Sequence, residues 1–223
     1  MDYREKADSV RHRILRACER SGRDHNDVTV IAVTKYVGVP ETLAILEAGI
    51  RDLGENRVQQ ALPKVTAIKE PVCWHFIGNL QTNKVKDVLP HFQWIHSLDR
   101  MSLAKELQKQ AEKLDISVSC LVQVNISGEQ SKSGFSPEEV EPFLAEISEM
   151  ARLQVRGLMT MAPIAADPEE VRPVFRGLLE LRDSLKPVYP ELNHLSMGMS
   201  DDFEVAVEEG ATMVRIGSIL VKP

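Results

Sequence analysis

The residues with the clearest chemical potential are Lys35, His75, Arg215 and two turns of small residues, Ser196-Met197-Gly198-Met199-Ser200 and Arg215-Ile216-Gly217-Ser218. Lys35 stands just beyond the carboxyl end of a β-branched run, Val28 to Val33, between Thr34 and Tyr36. A lysine that loses its proton can attack a carbonyl carbon and form a Schiff base. Burial beside an apolar interior and a nearby cationic Arg215 would both disfavour the ammonium form. On this segment alone, a rim lysine with its charge in water is the simpler reading. In the two turns, glycine permits close backbone approach, and N–H groups together with serine hydroxyls suit a phosphate. Either turn taken alone is ordinary turn chemistry. Asp201 and Asp202 follow Ser200 directly and would repel a bound dianion unless directed outward.

The elements that must carry these residues alternate along the chain. Val10, Ile14 and Cys18 recur at helical spacing, so an amphipathic helix precedes the first strand and ends at Gly22. After the run to Val33, helical patterns over Pro40 to Ala48, Val58 to Ile68 and Met101 to Leu114 separate extended segments. Those segments are Ile50 to Leu53, Val72 to Ile77, Gln93 to His96 and Ile116 to Val124. Leu153 to Met159, Asn193 to Ser196 and Thr212 to Ile216 continue the strands, with a short helix from Asp201 to Glu208 closed by Gly210. Ser136-Pro137-Glu138-Glu139 and Asp167-Pro168-Glu169-Glu170 each read as a capped helix start. Eight strands with short connections suit a single (β/α)8 TIM barrel over residues 1–223 with an extra N-terminal helix. In such a barrel the functional face lies at the strands' carboxyl ends, with phosphate commonly held after strands seven and eight. The two small-residue turns fall at those places.

Composition removes other classes. A hydrophobic share of 43% with 27% charged residues is that of a globular chain, and aromatics at 5% leave little for base stacking. A net charge of -6 argues against a nucleic-acid partner. Cys18, Cys73 and Cys120 are odd in number and widely spaced, without Cys-x-x-Cys or histidine at metal-ligand spacing along the chain. A disulfide framework and a zinc site are therefore not expected, and reduced thiols are. The amino terminus is too charged for a secretory signal, and no apolar run approaches the ~18 residues of a membrane span. The expected location is cytoplasmic. For His75, core hydrogen bonding is favoured over acid–base work, and packing accounts for Met159 and Met161. The loop Ser127 to Gly134, with Lys132 in its middle, reads as a solvated loop, with a lid or secondary phosphate contact as the alternative.

Six ordered motifs narrow the reading. They are Ala32-Val33-Thr34-Lys35, Gly54-Glu55-Asn56, the run Trp74 to Lys84, Arg156-Gly157-Leu158-Met159, Leu195 to Asp202, and Arg215-Ile216-Gly217-Ser218. Together they closely resemble the pyridoxal phosphate homeostasis protein family, also called the YggS or PROSC family. The resemblance implies a barrel similar to the N-terminal domain of alanine racemase, without an accompanying second domain. It implies pyridoxal 5'-phosphate (PLP) held covalently on Lys35, with Asn56 and Met159 lining the cofactor. Ser200, Gly217 and Ser218 would hold the phosphate, and Arg215 would face the pyridine nitrogen. Val37 stands where some relatives carry a second lysine, so any role of that lysine does not transfer, and the chain stops at Lys222-Pro223, so tail contacts do not transfer either.

Two classes of function follow. The first is a non-catalytic monomer that binds PLP, buffers it and supplies it to client enzymes, since a racemase needs an acid or base on each side of the cofactor. Of Tyr3, Tyr36 and Tyr189, only Tyr36 is near the expected site. The second is a small PLP-dependent racemase or lyase with Lys35 as one base; an adapter with an empty barrel is a distant third.

Overall fold

The computed structural model of the protein describes residues 2–129 and 133–221. Its centre is a closed parallel barrel whose strands follow chain order. They are β1 (Thr29–Val33), β2 (Asp52–Glu55), β3 (Cys73–Phe76), β4 (Trp94–Leu98), β5 (Val118–Gln123), β6 (Leu153–Met159), β7 (His194–Met199) and β8 (Met213–Ile216). β8 closes on β1 with Thr29 opposite Met213 and Ile31 opposite Arg215, so no edge strand remains.

The helices of the outer ring are α2 (Val39–Glu47), α3 (Val58–Ala67), α4 (Val85–Val88), α5 (Met101–Leu114), α6 (Pro137–Ile147), α7 (Arg172–Leu185) and α8 (Phe203–Glu208), with α9 (Ser218–Val221) after β8. The expected extra helix is α1 (Tyr3–Ser21). The Asp2 carboxylate accepts the N–H groups of Arg4 and Glu5 at its start, Gly22 ends it at φ 68°, and Val10, Ile14 and Cys18 are buried. Arg13 and Arg20 on α1 pair with Glu204 and Glu208 on α8.

Strand alternation divides the buried residues into two layers. Outward positions such as Ala32, Leu53, Leu158, Val214 and Ile216 pack against the helices in the main core. Inward positions Ile31, Leu121, Met159 and Met213 form a small cluster inside the barrel, covered by Trp94. Lys35 shares the parity of Ile31 and Val33, and so is carried on the inward side above that cluster.

Three local expectations are corrected. β2 runs two residues later than Ile50 to Leu53, because Gly54 pairs with both β1 and β3 and Glu55 pairs with β3, while Ile50 is buried in the outer core. β7 does not stop at Ser196. Its pairing with β8 shifts register between Ser196 and Met199, with Gly198 at φ 89°, so the supposed turn is a bulged strand end. A Cβ on Gly198 would press on Phe203 and Ala206 of α8, so glycine also lets that helix sit against the strand. Finally, Asp167-Pro168 opens a short 3-10 turn over Pro168–Val171, and the α-helix begins at Arg172. The other capped start holds: Glu139 Oε2 accepts the Ser136 N–H at 2.8 Å.

Gly157 of β6 lies opposite His194 of β7, where an added Cβ would collide with the His194 carbonyl oxygen. Neither backbone can yield without opening the ladder. Gly157→Ala is expected to lower unfolding free energy by about 3 kcal/mol, at the upper end for overpacking, as read by urea denaturation followed by circular dichroism.

Candidate functional site

At the carboxyl ends of the strands, Lys35, Asn56 and Arg215 border one cavity of about 220 Å³, with Gln123, Met161 and Met199 also in its wall. A larger hollow of about 790 Å³ lies at the other end of the barrel, among Arg23, Arg182, Lys186 and Glu208. The smaller one is the better candidate. An inward lysine, a buried arginine and an unbonded amide oxygen converge there, whereas the larger is an open surface depression.

Lys35 is placed by what lies on the outer side of its strand. Thr34 donates its hydroxyl to Glu55 Oε1 at 2.6 Å, and Lys64 of α3 donates to the Thr34 carbonyl at 2.5 Å and to Glu55 Oε1 at 2.6 Å. Thr34, Glu55 and Lys64 are all buried. The backbone before Lys35 is therefore clamped by a buried ion pair, and the turn after it is closed by Val37 N–H to Thr34 O at 3.1 Å. The half-buried Lys35 has its Nζ 4.9 Å from the centre of the Tyr36 ring.

Arg215 enters the cavity from below. Its guanidinium donates to Ser196 Oγ at 2.6 Å and to the Thr160 carbonyl at 3.0 Å. Burial lowers its pKa to about 10, with Asp202 acting in the opposite sense, so it stays protonated at neutral pH. Ser196 in turn meets His96 Nδ1 at 2.9 Å, His96 Nε2 meets His75 Nδ1 at 2.9 Å, and His75 Nε2 meets Asp52 Oδ1 at 3.0 Å. The ends fix the direction of this chain. An ionised carboxylate only accepts, so His75 carries its proton on Nε2 and accepts on Nδ1. His96 then donates from Nε2 and accepts from the Ser196 hydroxyl on Nδ1. A second proton on His96 is disfavoured by burial first, then by His75 and Arg215, which hold its pKa well below the ordinary value. Core hydrogen bonding, the expectation for His75, is what the geometry shows.

The other expected site residues are placed as follows. Asn56 Oδ1 and Glu55 Oε2 are the buried side-chain polar atoms without a hydrogen-bond partner among the described residues. Gly78 lets the chain after β3 lie against Asn56, since a Cβ there would collide with the Asn56 backbone. Ser200 is buried, and its Oγ accepts the Gly217 N–H at 3.1 Å, which ties the loops after β7 and β8 together next to the cavity. Ser218 opens α9 and is half-buried. Met159 sits one layer deeper, in the barrel interior, and the methionine bordering the cavity is Met161. Asp202 is not directed outward: its carboxylate accepts the Met199 N–H at 2.6 Å, and burial raises its pKa. Of the loop after β5, Ser133 borders the cavity and its carbonyl accepts from Gln123 Nε2 at 2.9 Å, while Lys132 lies outside the described residues.

Sequence reading missed Asp52, His96, Ser196 as an inward residue, and the pair Glu55 and Lys64. Inward parity on strands β2, β4 and β7 was the available signal for the first three. For the pair there was only a lysine on the apolar face of α3.

The family described as alanine racemase, N-terminal domain, matches residues 6–223. A curated relative from Aquifex aeolicus, the pyridoxal phosphate homeostasis protein, is 47% identical over 222 residues, covering 99% of this chain and 97% of its own. The chain belongs to the pyridoxal phosphate homeostasis protein family. A solved structure of PipY from Synechococcus elongatus, described as having PLP bound, is 33% identical with a TM-score of 0.82, covering 93% of this chain and 99% of that one. Alanine racemase from Clostridium difficile shares the fold, with a TM-score of 0.74 at 15% identity, over 94% of this chain and 58% of its own. The barrel of this homeostasis-family member thus corresponds to part of a longer enzyme.

The clamp under Lys35 can be tested by substitution. Lys64→Met leaves the Glu55 carboxylate buried without its cation and is expected to destabilise the protein by about 3–5 kcal/mol. Lys64→Met with Glu55→Gln should recover part of that loss in the same urea titration, because the uncompensated charge is gone.

Proposed function

We propose that this chain binds pyridoxal 5'-phosphate at the carboxyl-end cavity, attached covalently through the Lys35 amine, and serves its homeostasis by holding and releasing it. The observation that carries this reading is the convergence on one cavity of the clamped Lys35, the protonated Arg215 and the unpartnered Asn56 oxygen. These groups fit the cofactor: an amine for its aldehyde, a donor for its ring nitrogen and an amide for a ring substituent. Ser200, Gly217 and Ser218 would hold the phosphate, and Met161, rather than Met159, would border the ring. The PLP named for PipY and the names of the curated relatives support the same reading.

When bound, PLP supplies an electrophilic carbonyl and an electron-withdrawing ring. Arg215 limits the second property, because a guanidinium donates to the ring nitrogen without protonating it. His96 and Ser196 hold that guanidinium in place. Tyr36, the tyrosine next to Lys35, is 79% exposed, while Tyr3 lies on α1 and Tyr189 follows α7, away from the cavity wall. Among the described residues the cavity wall therefore offers Lys35 as the one side chain suited to a general base, which favours a carrier over a racemase or lyase. The protein acts as one unit over residues 1–223, in the cytoplasm, as a monomer that exchanges PLP with client enzymes. No helix among the described residues is long and apolar enough to cross a membrane, and the three cysteines are free.

Borohydride reduction of the PLP-treated protein, followed by peptide mass mapping, tests attachment. The expected product is one adduct on Lys35 that disappears in Lys35→Ala; an adduct elsewhere would falsify the assignment. Incubation with single amino acids, following chirality and keto-acid formation, should show no turnover; sustained turnover would select the enzyme reading. Ser200→Ala should weaken PLP retention about tenfold while leaving non-phosphorylated pyridoxal unaffected, as read by equilibrium dialysis.

A further inference from the structure

At the end of the barrel interior opposite Lys35, three side chains of different donor type converge. Asp52 and Cys73 are the first residues of β2 and β3 and stand opposite one another in the ladder. His75 follows Cys73 by two positions and so shares its inward face. A carboxylate oxygen, the thiol sulfur and a ring nitrogen lie within 4.8 Å of one another.

The arrangement is held from outside. His75 is 1% exposed, its Nδ1 is bonded to His96 at 2.9 Å, and Trp94 stacks on its ring at 5.9 Å with planes 11° apart. The remaining nitrogen, Nε2, is thereby aimed at Asp52. Zinc-ligating histidines are oriented in this way, through a hydrogen bond on the nitrogen that does not bind metal. The Asp52 side chain is 30% exposed and Cys73 is half-buried, so the cluster opens to solvent on one side.

We propose that Asp52, Cys73 and His75 form a mononuclear site for a divalent cation of the zinc class, with a water molecule in the fourth position. Sulfur, imidazole nitrogen and carboxylate oxygen together suit zinc or cobalt, whereas calcium and magnesium require an oxygen shell. Without the cation His75 Nε2 donates to Asp52 at 3.0 Å, and the Cys73 sulfur lies within 4.8 Å of both donor atoms. A cation displaces the thiol proton to solvent and takes its place between the three donors.

The histidine chain gives the site a signature. With Nε2 on the metal, His75 must carry its proton on Nδ1 and donate to His96 Nε2. His96 then carries its own proton on Nδ1. Each ring keeps one proton, and only its position changes.

The test uses the full chain freed of metal by chelation. Zinc is titrated by calorimetry, and cobalt(II) by its visible ligand-field bands. One zinc per chain, tetrahedral cobalt bands and a move of the His96 proton from Nε2 to Nδ1 in nitrogen-15 NMR are the expected results. His96→Gln should weaken zinc about 10- to 100-fold, and Cys73→Ser at least as much, each with an unchanged circular dichroism spectrum. Should Cys73→Ser fail to fold, the native protein decides alone. Octahedral cobalt, the absence of a one-to-one zinc complex, undiminished zinc affinity in a folded Cys73→Ser, or zinc bound with the His96 tautomer unchanged would each overturn the site. None of these outcomes depends on PLP, so failure here leaves the cofactor reading standing.

Discussion

A guanidinium does not give up its proton at neutral pH, so placing Arg215 inside a barrel obliges the surrounding strands to supply acceptors. Thr160 meets this demand with its backbone carbonyl, and Ser196 with its hydroxyl oxygen. That second contact propagates. Once Ser196 accepts from Arg215, its own proton is free for His96, and the requirement passes through His75 to a carboxylate at the far end. A positive group at one mouth of the barrel and a negative group at the other are thus joined by neutral links, each with a defined donor and acceptor.

The same requirement shapes the backbone at the site. Ser196 reaches Arg215 only if β7 is still a strand at that residue. The chain then needs a bulge to bring Met199 to the cavity wall and Ser200 beside Gly217. Gly198 permits the bulge and the close seat of α8 at once. On the other face of the sheet, Thr34, Glu55 and Lys64 clamp the end of β1. The segment bearing Lys35 is therefore fixed from the helix side, while Arg215 is fixed from the barrel side. Two separate buried polar networks converge on the cavity from opposite faces of one sheet.

Much of this was legible along the chain. The β-branched run ending before Lys35, the rhythm of strands and helices, and the face of α1 all follow from hydrophobic period, and α5 keeps its expected bounds of Met101–Leu114. Departures arose where tertiary pairing overrode local signals. Gly198 reads as a turn in isolation and is a bulge because β8 pairs on both sides of it. Met159 and Met161 differ by one inward layer, which depends on strand height in the barrel and not on sequence. The histidine chain was invisible for a plainer reason. Its members are 21 or more positions apart, from Asp52 to Ser196, and meet only when strands two, three, four and seven face one axis. The proximity of Asp52 to Cys73 and His75 was hidden for the same reason, since Asp52 and Cys73 are joined by register across two strands and not by spacing along one.

The interior is divided in a way that bears on what the cavity can do. Ile31, Leu121, Met159 and Met213 fill one part with apolar side chains, while Asp52, His75, His96, Ser196 and Arg215 fill another with a bonded chain. Moving a polar group out of the bonded chain would strand a buried donor or acceptor, at a cost of roughly 1–3 kcal/mol. The barrel floor is consequently stiff. Among the described residues, the unmet polar capacity of the buried side chains is confined to Glu55 and Asn56, successive residues at the carboxyl end of β2. Asn56 borders the cavity, whereas Glu55 lies on the helix side of the strand with Thr34 and Lys64. A ligand bound at the proposed site would find the unpartnered Asn56 oxygen against a wall already fixed by hydrogen bonds, and such preorganisation lowers the cost of binding.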